Sequence, residues 1–312
     1  MRNPSFFSTL FLVVALVFNS SRVVVCQILG QCRSGPASDS QVVVFATNFE
    51  YFEGEMFLWG ALGRGMDSID PTLARGGPPP IGAQRANLDP MVRNIIEEFG
   101  YEEIGQLKTL IQVSGGLGIQ RPLLNLSKDV FSDLFDKAAG RRLSPPFDPY
   151  VDTIHFLLAV NLFPYLGYTG LVEAAPVLLF LESRRLAAKL LSAESGQNAV
   201  MRTLLYERAN ETVEPYNMTV AEFTNLISTL ANQLGKCGLK DEGVVVPRSL
   251  GAENRTETNV LATDAKSLSY NRTIQEILRI LYGTGSERLP GAFFPNGANG
   301  SIARRFLRGG II

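Results

Sequence analysis

Apolar residues recur along this chain at helical rather than strand spacing. Residues 47–62 (TNFEYFEGEMFLWGAL) carry Phe49, Phe52, Met56 and Trp59 on one stripe, with Thr47 or Asn48 placed to cap its start. Residues 63–90 are rich in Gly and Pro, and Pro78, Pro79 and Pro80 exclude a regular helix there. Asp89-Pro90 reads as an N-cap followed by proline at the first helical position. Val92, Ile95, Ile96, Phe99, Leu107 and Leu110 then predict a second helix over about 90–111. Residues 112–149, interrupted by Gly115, Gly116, Gly118, Pro122, Pro145 and Pro146, predict a long connection. A third helix is expected over 149–173, kinked or broken at Pro164. A fourth is expected to open at Pro176 and run to about Arg208 on Leu179, Leu186, Leu190, Val200 and Leu204. A fifth follows over 219–235 behind Thr219, and a short amphipathic helix near 273–282. The rest of 236–312 reads as mostly irregular, with no solenoid period and no run of alternating strands.

One apolar run stands outside this pattern. Phe6 to Phe18 is 13 residues long and follows Arg2. A membrane-spanning helix needs about 20 apolar residues, so the run suits a signal peptide, with Val24 and Cys26 at the selective positions and cleavage after Cys26. The expected organisation is a leader over 1–26, a helical bundle with an N-terminal arm over 27–235, and a C-terminal extension over 236–312 packed on the bundle. Without the leader the chain holds 27 basic and 30 acidic residues, a net charge of −3. That balance argues against a nucleic-acid partner, and Arg304, Arg305 and Arg308 read as a solvated end. No membrane span is expected once the leader is removed, because the run 174–181 is too short.

The leader sets the reading of cysteine and asparagine. With Cys26 gone, Cys32 and Cys237 are an even pair in an oxidising space, and a disulfide is predicted between them. Acceptor sequons stand at Asn125, Asn210, Asn217, Asn254, Asn271 and Asn299. The expected destination is the apoplast or cell exterior, with the vacuole as the alternative.

The candidate chemistry lies where acids interrupt the stripes. Ile95, Phe99, Glu103, Gln106 and Leu110 step by helical intervals, so Glu103 and Gln106 point inward. Leu190, Glu194, Gln197, Met201 and Leu204 do the same in the fourth helix, and Phe49, Glu53 and Met56 in the first, with Glu50 beside them. The third helix shows Ile154, Leu158, Asn161 and Tyr165 on its stripe and no acid until Glu173. Buried carboxylates need partners. A Glu-x-x-His motif on two helices plus one Glu on each of the other two is the ligand pattern of a ferritin-like dinuclear site, and one long crossover is ferritin-like wiring. Here glutamine stands where each histidine is expected. The single histidine, His155, sits among apolar residues and reads as structural; with one histidine, no multi-histidine zinc site exists.

Five segments carry a family resemblance: NFEYFEGEMFLWGALGRG at 48–65, LVEAAPVLL at 171–179, AESGQNAVMRTLLYER at 193–208, KCGLKDEGVVVP at 236–247 and PGAFFPNGANGSIAR at 290–304. The chain resembles the plant desiccation-related protein family, built on a ferritin-like domain, from about Cys32 to Arg304. The resemblance implies an all-α, ferritin-like four-helix bundle with a long crossover between helices 2 and 3, an extra helix and a mostly irregular C-terminal segment. It places the metal-ligand positions of relatives on Glu53 or Glu50, Glu103, Gln106, a third-helix position near Pro164, Glu194 and Gln197. Glutamine is a poor substitute for imidazole on iron, so the expectation is a degenerate site with no cofactor, or at most residual Fe or Mn. Glu103/Gln106 and Glu194/Gln197 are expected to satisfy each other as polar pairs. The resulting functional expectation is a secreted, non-catalytic, protective or structural protein of drying tissue. Two alternatives stand beside it: a di-iron or di-manganese oxidase or peroxide-consuming enzyme, and a module that binds a cell-wall glycan.

Overall fold

The computed structural model describes residues 32–116, 118–264 and 266–309. The expected leader lies outside them. Helix α1 spans Asp39–Leu62 and is capped by Ser38, whose hydroxyl accepts from the Gln41 amide while the Gln41 side chain accepts from the Ser38 N–H. It thus begins well before Thr47. The run Val42 to Phe45 resembles a strand in composition, but the capping box at Ser38 nucleates helix through it. Thr47 and Asn48 sit inside the helix, their side chains donating back to the carbonyls of Val44 and Phe45.

Helix α2 (Pro90–Val113) starts on the Asp89 cap. It packs along α1 so closely that a Cβ on Gly100 would lie 2.9 Å from the Leu58 side chain and 3.1 Å from its backbone nitrogen. The crossover that follows is less irregular than its glycines and prolines suggest. It contains α3 (Lys128–Ala139), which buries Val130, Phe131 and Phe135, with Gly140 closing it in the left-handed region. The third bundle position is filled by α4 (Thr153–Val160) and α5 (Leu162–Ala174), consecutive helices joined at Asn161 just ahead of Pro164. By length and composition Thr153–Val177 is apolar enough to cross a membrane, but 78% of its most apolar window is buried, as a core helix requires. The fourth bundle helix, α6, spans Leu181–Glu207. Pro176 does not open it; that proline lies in a single 3-10 turn, and Leu178 to Phe180 turn the corner in extended conformation.

A two-residue hairpin, β1 (Thr212–Val213) with β2 (Met218–Thr219), leads into α7 (Val220–Gly235), capped by Thr219 and Glu222. Helices α8 (Ile274–Leu281) and α9 (Ser301–Leu307) complete the chain, the latter in a segment whose sequence reads as irregular. The C-terminal segment enters the core: Phe52 of α1, which meets Phe163 of α5 at 4.4 Å, also meets Phe293 at 5.0 Å and Phe294 at 5.6 Å. Asn48 holds that segment by both backbone groups of Asn299, at 2.8 and 2.9 Å. The arm ahead of α1 is fixed by the Cys32–Cys237 disulfide, which spans 205 positions, and by Ser34, which donates to Glu173 at 2.8 Å.

Candidate metal centre

Four glutamates from three helices meet inside the bundle. Glu50 and Glu53 come from α1, Glu103 from α2 and Glu194 from α6, and none is more than 4% exposed. One carboxylate oxygen each from Glu50, Glu103 and Glu194 lies within 4.8 Å of the others. Of the two first-helix candidates, Glu50 is in that tight set, while Glu53 faces the same interior but is outside it. The reason is that α1 is central. Nearly all of its residues from Thr47 to Phe57 are buried, so positions 50 and 53 both turn inward and the stripe selects neither.

The glutamines divide differently from the expected pairs. Gln106 reaches Glu103 only at 3.5 Å. Gln197 does not pair with Glu194. Its amide crosses to α2, donating to Glu103 at 2.7 Å and Glu102 at 3.2 Å. The third bundle position adds no acid: Asn161 is buried there, and Glu173 instead binds Ser34 and Asn271 at the arm. His155 lies in the aromatic core, bonded to Asp152 at 2.9 Å and 5.1 Å from the Phe147 ring.

The cluster is not self-satisfied. Glu50 Oε2, both oxygens of Glu53, Glu103 Oε2 and Glu194 Oε2 are buried without a hydrogen-bond partner. Burial first, and the neighbouring glutamates second, push the carboxyls of Glu50, Glu53 and Glu194 well above the ordinary range. Burial also raises Glu103, to about 7; a bond with Glu50 and the Gln197 amide oppose the rise. Without a cation the group therefore persists by holding protons. Five orphaned, oxygen-only acceptors fit a hard divalent ion, and such an ion must displace those protons to bind.

A pH dependence follows for the metal-free protein. Below the carboxyls' ordinary value of 4.5, folded and unfolded chains are both protonated and stability is full. As pH rises towards and through about 7, the unfolded chain releases protons that the folded cluster keeps, so stability falls. Thermal unfolding in chelator from pH 5 to 8 should show a declining midpoint. A flat profile, with surface acids controlled by the Glu194→Gln variant, would count against a buried proton-holding cluster.

Comparison with known proteins agrees with this architecture. The model of the ferritin-like domain family matches residues 38–207. The chain is 54% identical over 270 residues to "Ferritin-like catalase Nec2" of Nesocodon mauritianus, covering 86% of each chain. It is 47% identical over 265 residues to "Desiccation-related protein PCC13-62" of Craterostigma plantagineum, covering 85% of this chain and 84% of that one. No solved structure matches. The bundle wiring, the inward glutamates and both likenesses together show that this chain belongs to the ferritin-like family, in the branch that includes the plant desiccation-related proteins.

Proposed function

We propose that the chain is a carboxylate-liganded metalloprotein that consumes peroxide, with manganese the ion that its donor set fits best. The observation that carries this reading is the set of partnerless oxygens on Glu50, Glu53, Glu103 and Glu194. Oxygen-only donors suit magnesium, calcium and manganese better than metals that favour imidazole or thiolate. Of those three, manganese supplies the change of oxidation state that peroxide disproportionation needs. The likeness to a protein named a catalase supports the same chemistry. Within the chain, Glu50, Glu103 and Glu194 would hold the ion, and Gln197 keeps Glu103 oriented. Phe45 and Phe49 line the small cavity beside Glu50 and Glu194.

The amides at 106 and 197 favour a second reading, a non-catalytic protein that accumulates on drying, as the likeness to a desiccation-related protein suggests. Elemental analysis and peroxide consumption by the purified full-length product separate the two. Bound manganese with peroxide loss above that of free ion supports the enzyme; metal-free, inactive protein after manganese reconstitution supports the protective role.

Secretion belongs to the same proposal. Its support is the Cys32–Cys237 disulfide, a bond rare in reducing compartments, and four sequon asparagines on the surface: Asn210, Asn217, Asn254 and Asn271. Asn125 and Asn299 are half-buried, with side chains bonded to Ser127 and to Gln120 and Arg304. Peptide mapping of apoplastic protein after deglycosylation should find glycan at some of the first four and none at the last two. An unglycosylated, intracellular product would remove this part.

A further inference from the structure

Two cavities lie end to end between α1, α5 and α8. The inner one holds about 60 Å³ and ends on Glu50 and Glu194; its remaining walls are apolar side chains and the backbone of Gly167 and Gly170. The outer one, about 320 Å³, opens beneath residues 34–37 of the disulfide-tied arm. They share Val42, Gly170, Ala174 and Ile274 as walls, so one aliphatic constriction separates the outer groove from the acid cluster.

The two glycines hold the inner space open. A Cβ on Gly167 would lie 2.5 Å from Glu194 Oε2, and one on Gly170 would lie 2.8 Å from Ile277 Cδ1. Glycine inside a helix costs roughly 1 kcal/mol relative to alanine, and here two stand three residues apart on the face of α5 that borders the cavity. Of the two glutamates that line it, Glu50 Oε2 and Glu194 Oε2 are buried and lack partners.

We propose that this passage is the route by which small uncharged molecules of a few heavy atoms reach the acid cluster. Beyond Ser34 and Glu173 of the outer cavity, an ion would shed hydration against aliphatic walls with no polar group to replace it, whereas a neutral solute forfeits only a few hydrogen bonds. Size sets the second limit, because one water needs about 10–15 Å³, so the inner cavity takes only a few such molecules. The inference rests on the peroxide reading only for the identity of the molecule that enters.

Thiol accessibility in the metal-free, full-length protein tests it. Glu50→Cys puts a thiol at the inner end. Uncharged methyl methanethiosulfonate should label it, and the anionic sulfonatoethyl reagent should not, with the site located by peptide mass mapping. Adding Gly170→Leu should slow the neutral reagent by about tenfold or more. Ala46→Phe, on the α1 side of the inner cavity, is the second plug if Gly170→Leu does not fold. Equal labelling by both reagents, no labelling by the neutral one, or plugs without effect would overturn the passage. Because no metal is present, these results stand apart from manganese binding: labelling as expected in a protein that never binds manganese keeps the passage and removes the enzyme.

Discussion

Replacing Glu194 by glutamine is expected to stabilise the metal-free protein and to abolish its response to manganese. The wild-type carboxyl must keep a proton to stay buried at neutral pH, because burial and the facing Glu103 push its ionisation far up. Glutamine is neutral without that proton. The gain should be roughly 1–3 kcal/mol near pH 7 and should vanish near pH 4, where the wild-type side chain is protonated in both states. The metal arm runs the opposite way. An ion at 100 times its dissociation constant stabilises the folded state by about 2.7 kcal/mol, and Glu194→Gln should lose that increment together with peroxide consumption. Thermal unfolding with chelator or manganese, at pH 4 and 7, reads both arms. A variant that keeps the full manganese-dependent shift would place the ion elsewhere. More stable yet inactive is the signature of a strained functional site, since removing a purely structural carboxylate gives no metal-dependent loss.

Arg121→Met should be among the most damaging single substitutions in the chain, at about 3–5 kcal/mol, because it strands a buried charge. Arg121 is 1% exposed and pairs with Glu55 of α1, which is wholly buried. It also binds Asp67 at 2.8 Å and the Pro78 carbonyl at 2.7 Å. One guanidinium thus ties the crossover and the proline loop to the central helix. Burial raises the Glu55 carboxyl, and Arg121 is the main influence opposing that rise. Lysine keeps the charge but cannot serve three acceptors in a plane, so Arg121→Lys should lie between. Adding Glu55→Gln to Arg121→Met should recover part of the loss. Denaturant unfolding measures all four proteins, and a loss below about 1 kcal/mol for Arg121→Met would mean that the buried pair contributes little.

The limits of the sequence reading have physical causes at particular residues. Helices α2, α6 and α7 have one buried face each, so spacing located them and turned Glu103 and Glu194 inward. Helix α1 is buried on almost every side, and periodicity could not choose between Glu50 and Glu53. Its start was hidden because Ser38 and Gln41 form a local cap ahead of a β-branched run. Helix α3 was masked by flanking glycines and prolines, although Val130, Phe131, Leu134 and Phe135 carry a helical stripe that a shorter window would have exposed. The partner of Gln197 was beyond reach for a different reason. A spacing of three names the neighbour on the same helix, whereas the acceptor, Glu103, stands on another.

Asn48 and Asn299 bond across 251 positions, and Phe293 and Phe294 reach the centre of the bundle from the same late segment. At about 5–20 residues per second, a ribosome that has made Asn48 needs roughly 12 to 50 s to make its partner 251 positions on. Through that interval the nascent chain carries Phe52 on a helix whose cover by Phe293 and Phe294 is still unsynthesised. The bundle helices can pair as they emerge, but the core cannot close while the chain is growing through them. Completion of the fold is therefore a late event in the life of each molecule, and the growing chain presents its central helix, incompletely covered, to whatever chaperones attend it.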